Sequence, residues 1–174
     1  KVGWVTLHAG IAGGADIILL PEIPYDIDVV VDAINKRAKA GKNFTIIAVA
    51  EGAISKSDAK LSKKELKAKM AKKTYPSVAY EIAEKIQKRT NQEVRITVPG
   101  HTQRGGSPCP YDRVLSTRLG AAAANLILKK EFGYMVGIKN GNIVKVPLGE
   151  VAGKLKYVEP DSDIIQEAKM TGIS

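Results

Sequence analysis

The sequence is short of cysteine, histidine and aromatic residues, and each shortage closes off a class of function. Cys109 is the only cysteine among 174 residues. There is therefore no disulfide framework and no thiolate zinc site, and a reducing compartment suits the chain. Two histidines without metal-ligand spacing around them make no zinc motif. Aromatic residues are only 5%, too few for a groove that holds nucleic acid by base stacking. No apolar run approaches the ~20 residues of a membrane span, and no signal peptide is visible. The expectation is a cytoplasmic protein with neither a membrane nor a nucleic-acid partner. The chain opens at Lys1 without an initiator Met, which reads as a piece of a longer protein.

Apolar residues, by contrast, are ample at 44%, enough for a sizeable core in one domain or slightly more. The formal net charge is +9, which suits an anionic partner. Much of that charge is local: Lys56, Lys60, Lys63, Lys64, Lys67, Lys69, Lys72 and Lys73 fall in one segment. The plain reading of such a tract is a solvated helical face, peripheral to any chemistry. His8 in a helix-like stretch reads as packing, and Cys109 as a small apolar filler.

Periodicity gives the fold class. "WVTLHAGIAGGA" (4–15) reads as a short helix, and "DIILLPE" (16–22) as a buried strand stopped by Pro21. Asp26 caps a helix with a Val30, Val31, Ile34 and Ala38 stripe, ended by Gly41. "FTIIAVAEG" (44–52) is a second buried strand, ending in Glu51. In "SVAYEIAEKIQKRT" (77–90), Val78, Ile82 and Ile86 recur every four residues, as in a helix. "EVRITVPG" (93–100) reads as a third strand. Strands and helices in alternation, with apolar strand runs, predict an α/β protein with a parallel sheet covered on both faces. Right-handed crossovers would gather the strand C-termini, with Glu51, His101 and Arg104, at one edge. Beyond that, Ser107 and Pro108 look like the start of a helix with Val114, Leu115, Leu119, Ala122 and Leu126 on its apolar side. "YMVGIKNGNIVKVP" (134–147) reads as a β-hairpin turning at Asn140-Gly141, in a second sheet. "PDSDIIQEAKM" (160–170) reads as a last helix.

"GHTQRGGSP" (100–108) concentrates the chemistry. Its glycines can form a concave nest of N–H groups, a helix start adds partial positive charge, and Arg104 offers a planar fork for phosphate oxygens. Arg95, six residues before His101, adds a second guanidinium. Glu51 would repel phosphate but can accept hydrogen bonds from sugar hydroxyls. Pattern alone leaves two readings open: a sugar-phosphate site, or a plain loop whose glycines serve only its geometry.

"GHTQRGGSPCPYDRVLSTRLGAAA" (100–123) closely resembles the fructose 6-phosphate signature of the 6-phosphofructokinases. "GWVTLHAGIAGGADIILLPE" (3–22) resembles the stretch that follows a Met-Gly-Arg motif in that family, and "VAEG" (49–52) matches its sugar-binding strand end. The resemblance implies that His101 and Arg95 contact the 6-phosphate, with Arg95 reaching a neighbouring subunit of a homo-oligomer. It implies that Arg104 and Glu51 bind the sugar. The donor would be ATP, the commoner case, or pyrophosphate. Mg2+ would come with the donor and be held mainly by an N-terminal part that this chain lacks. No catalytic residue then falls within the chain, and the chain alone should be inactive. The implied layout is a sugar-phosphate-binding α/β domain at 1–103, a crossing into the nucleotide-binding domain at 104–155 and a return at 156–174. Residues 55–76 look like an insertion. Asp16 and Lys42 match the family's effector pair, whereas Ala40 departs from its pattern. The rival reading is a free-standing anion- or RNA-binding module built on the lysine tract, for which exposed aromatics are too scarce.

Overall fold

The apolar runs pair as a parallel ladder. Strand β1 (Ile17–Leu19) lies beside β2 (Ile47–Val49), with Ile17 opposite Ile47 and Leu19 opposite Val49. The computed structural model describes residues 1–71 and 75–174, without the side chains of Lys63 and Met70. Lys72 and Lys73 of the lysine tract lie outside the described residues.

Successive strand side chains point to opposite faces, and each face is covered. On one side Ile17 and Leu19 pack with Val30 and Ile34 of α2 (Ile27–Lys39) and Ile82 and Ile86 of α5 (Val78–Gln87). On the other, Leu7 of α1 (Trp4–Ala12) and Leu20 pack with Val158 and with Ile165 of α8 (Asp163–Met170). Ile18 faces this second cluster. Helix α1 comes down close on the sheet: a Cβ at Gly10 would sit 2.8 Å from Ile18 Cγ1. Asp26 caps α2 as its sequence predicts, accepting the Asp28 N–H at 3.1 Å, and Gly41 follows the helix at φ +78°.

The third strand does not form. Residues 93–99 carry no ladder. Here polar and apolar residues alternate: Val94 and Ile96 are half-buried, while Glu93, Arg95 and Thr97 are exposed. Val94 packs on the core, so the segment is anchored by its side chains. The free edge of β1 is meanwhile taken by Ser174. Ile18 N–H donates to Ser174 O at 2.9 Å, and Ser174 N–H donates to Asp16 O at 3.0 Å.

The lysine tract folds as two helices, α3 (Lys56–Ala59) and α4 (Lys63–Ala71). It is not wholly solvated, which corrects the sequence reading: Ser55 and Asp58 are buried, and Asp58 pairs with Lys69. Lys56, Lys60, Lys64 and Lys67 are exposed.

Two compact units result: Lys1–Thr97 with Lys156–Ser174, and Val98–Leu155. The second contains helix α6 (Pro110–Leu128), strands β3 (Tyr134–Lys139) and β4 (Asn142–Pro147), and the short helix α7 (Leu148–Val151). β3 and β4 pair antiparallel, from Tyr134 opposite Pro147 to Lys139 opposite Asn142. Asn140 and Gly141 turn the hairpin at φ +50° and +78°, as the Asn-Gly signal predicts. Leu115, Leu119, Ala122 and Leu126 of α6 are half-buried, but Val114 is exposed and no residue of this unit is fully buried. Among the described residues, no helix is long and apolar enough to cross a membrane.

Candidate functional site

Residues Gly100–Arg104 form a single 3₁₀ turn. With three residues per turn, side chains at i and i+3 eclipse, so His101 and Arg104 stand on one face. Gly100 at φ +51° and Gly106 at φ +87° bracket the turn, conformations that cost glycine little. The Thr102 N–H donates to Pro99 O at 3.0 Å, and the Gly105 N–H donates to Thr102 O at 3.1 Å. Both side chains are exposed, and neither has a hydrogen bond or ion pair among the described residues. The turn therefore presents an imidazole and a guanidinium free to meet a ligand.

The helix that follows starts two residues later than Ser107 and Pro108 suggest. Cys109 is its N-cap and Pro110 its first residue. Proline is preorganised for that first position in either register, and Asp112 decides between them by accepting the Cys109 N–H at 3.1 Å. One donor of the helix start is thus engaged internally.

Glu51 follows β2 and forms an exposed ion pair with Lys1 at 2.5 Å. Arg95 pairs with Glu93 at 2.9 Å, also exposed. Such pairs contribute about 0–1 kcal/mol, so an incoming phosphate or sugar can displace them. No hydrogen bond or ion pair links Glu51 to Arg95 among the described residues. Both belong to the first unit, whereas His101 and Arg104 belong to the second. The ladder that would have carried all of them to one sheet edge is absent.

Asp16 is occupied within the fold. Arg37 Nη2 lies 2.8 Å from its Oδ1, and the Ile46 N–H donates to Oδ2 at 2.8 Å. Arg37 also reaches Thr45 Oγ1 and Phe44 O. Lys42 is exposed. The sequence reading missed this role of Arg37, whose only local signal is a basic residue in the last turn of α2.

Glu22 is a second carboxylate near a strand end, and it is structural. Glu22 Oε1 accepts the Gly3 N–H at 2.9 Å and the Val158 N–H at 3.2 Å, while its Oε2 is buried with no hydrogen-bond partner among the described residues. Glu22 therefore ties the start of α1 to the returning C-terminal segment. Its signal is position: like Glu51, it is an acid that closes an apolar run.

Among the described residues, no three His, Cys, Asp or Glu side chains cluster as a metal site requires. These carboxylates do not by themselves fit Mg2+.

A parallel α/β unit with a separate antiparallel hairpin, linked through a turn that shows His and Arg on one face, defines a protein of the α/β class. The chain belongs to the phosphofructokinase family, whose model, described as Phosphofructokinase, matches residues 1–127. It is 50% identical over 172 residues to the ATP-dependent 6-phosphofructokinase of Spirochaeta thermophila, covering 99% of this chain and 47% of that protein. It is 41% identical over 160 residues to the pyrophosphate–fructose 6-phosphate 1-phosphotransferase of Amycolatopsis methanolica, covering 91% of this chain and 46% of that one. The solved structure of phosphofructokinase from Saccharomyces cerevisiae superposes with a TM-score of 0.68 at 34% identity, covering 86% of this chain and 18% of that chain. The chain spans about half the length of the curated relatives it matches.

Proposed function

We propose that the chain is the C-terminal, fructose 6-phosphate-binding part of a 6-phosphofructokinase, which makes fructose 1,6-bisphosphate in glycolysis. The observation that carries this reading is the 3₁₀ turn with His101 and Arg104 unpaired on one face. His101 and Arg95 contact the 6-phosphate, and Arg104 and Glu51 hold the sugar hydroxyls. ATP is the preferred donor, with pyrophosphate the alternative; relatives named for each are similar to this chain. The donor, its Mg2+ and the group that takes the hydroxyl proton would be positioned by residues outside this chain, since phosphoryl transfer rests on such positioning. Residues 1–103 and 156–174 serve the sugar-phosphate domain, and 104–155 the nucleotide domain. The working enzyme is a cytoplasmic homo-oligomer in which Arg95 completes a neighbour's site. Asp16 and Lys42 would form the effector pair, at the cost of the Asp16–Arg37 contact.

Titration calorimetry of fructose 6-phosphate on the intact protein is the test. His101→Ala and Arg104→Ala should each weaken binding by about 1–3 kcal/mol, the worth of a hydrogen bond to a charged group. Unchanged affinity in both variants would overturn the assignment. In the same study the 174-residue chain alone should show no turnover with either donor. A rate of about 1–100 per second, ordinary for kinases, would show that the donor machinery lies within it.

A further inference from the structure

Helices α4 and α5 treat lysine in opposite ways. On α5, Glu81 and Lys85 pair at 2.6 Å and Glu84 pairs with Lys88, each one turn apart. That order of acid then base stabilises a helix. On α4, Lys64 and Lys67 stand three residues apart, a spacing at which like charges destabilise a helix. The acids nearby do not relieve them. Asp58 is buried and held by Lys69. Glu65 is engaged in a capping box: its Oε2 accepts the Ser62 N–H at 2.9 Å and the Ser62 hydroxyl at 2.6 Å, and Ser62 Oγ accepts the Glu65 N–H at 3.3 Å. Lys60, Lys64 and Lys67 are exposed and have no side-chain partner among the described residues. The arm is therefore a built element, capped at the start of α4 and tied down through Lys69, that holds uncompensated positive charge in place.

We propose that α3 and α4 dock an acidic, leucine-bearing segment of a partner protein. The residue types choose this occupant. Residues 56–71 contain no arginine, so they offer no bidentate fork for phosphate, and no aromatic, so no platform for bases. Leu61 is 36% exposed and Leu66 is half-buried. These leucines give an apolar foothold beside the lysines that a phosphate chain would not use and an acidic peptide would. A nine-residue helix with so small an apolar face is poorly suited to lie in a bilayer surface.

Fluorescence anisotropy on the full chain, with a labelled peptide of repeated Glu-Glu-Leu, tests the proposal. The same peptide with Gln for Glu, a random single-stranded RNA and anionic phospholipid vesicles serve as comparisons. The acidic peptide should bind, the Gln peptide should not, and salt should weaken the contact because its charges are exposed. A combined Lys60→Ala, Lys64→Ala, Lys67→Ala variant with unchanged circular dichroism should bind about tenfold more weakly, in line with three exposed ion pairs. Absence of peptide binding, equal binding of the Gln peptide, tighter binding of RNA or vesicles, or an unaffected triple variant would each overturn it.

Discussion

Tyr25 sits at 5% exposure, with the buried carboxylates of Asp58 and Glu81 near it. Burial first, and then these negative charges, push its phenol up from 10.0 to about 12. Above pH 10 the unfolded chain gives up this proton while the folded chain keeps it. The stabilisation is therefore complete below about pH 10 and is lost as pH rises through about 12. Urea unfolding across that window should show a shallower alkaline decline for Tyr25→Phe, smaller by up to roughly 2–3 kcal/mol. Identical declines would mean that the phenol titrates as in water. Single residues were legible in sequence where their role is local. His101 and Arg104 could be picked out because they share one short glycine turn, and Asp26 because capping needs only the next two residues. Glu22 and Arg37 were not legible, because their partners lie far off: Val158 for Glu22, and Asp16 across the start of the sheet for Arg37.

Elements bounded by strong local chemistry came through well. The Asp26 cap fixes a boundary through one local side-chain hydrogen bond, and Gly41 and the Asn140-Gly141 turn do so by backbone conformation. The failure at 93–99 has a different cause. A strand is defined by its neighbour, and one residue of alternating pattern looks the same whether or not a ladder is available. The start of α6 was misplaced because two prolines fit a helix start equally well and only Asp112 chooses. The lysine tract shows how a single buried acid can anchor an otherwise exposed segment. Replacing Asp58 with Ala removes the buried partner of Lys69. It should cost about 1–2 kcal/mol, below the full worth of a buried pair because Lys69 is half-exposed. Trypsin should then cut within residues 60–71 faster than in wild type under native conditions. Equal cleavage rates would show that the arm is held by something else.

On the scale of the molecule, the two units differ in kind. The first has helices on both faces of its sheet and two apolar clusters. The second has no fully buried residue, and Tyr111, Val114, Ile127, Leu128 and Phe132 remain exposed on it. Its sheet is a lone hairpin, an arrangement of marginal independent stability. The α/β class was legible because apolar strand runs and helical stripes repeat along the chain. The division at Thr97 and Lys156 was not set by any linker-like composition. It follows from which distant segments touch, and that information is spread over the whole sequence.

The return of the chain at Lys156 has a consequence for how the protein is made. A ribosome delivers residues in order, so the first unit must wait through the entire second unit before its closing pieces emerge. Trp4 Nε1 donates to Lys156 O, and Val158 N–H donates to Glu22 Oε1, across separations of 152 and 136 residues. Ser174 comes later still and occupies the edge of β1. Contacts of such long range are slow to form. A nascent chain therefore carries a half-finished sheet, with Leu7 and Leu20 still wet, until Val158 and Ile165 emerge, and a chaperone that recognises apolar surface has that long to engage it. A chain stopped at residue 155 should keep slow amide exchange on α2 and α5 yet lose it on α1 and at Ile18. Full protection of α1 in the shortened chain would show that the sheet closes without its late partners.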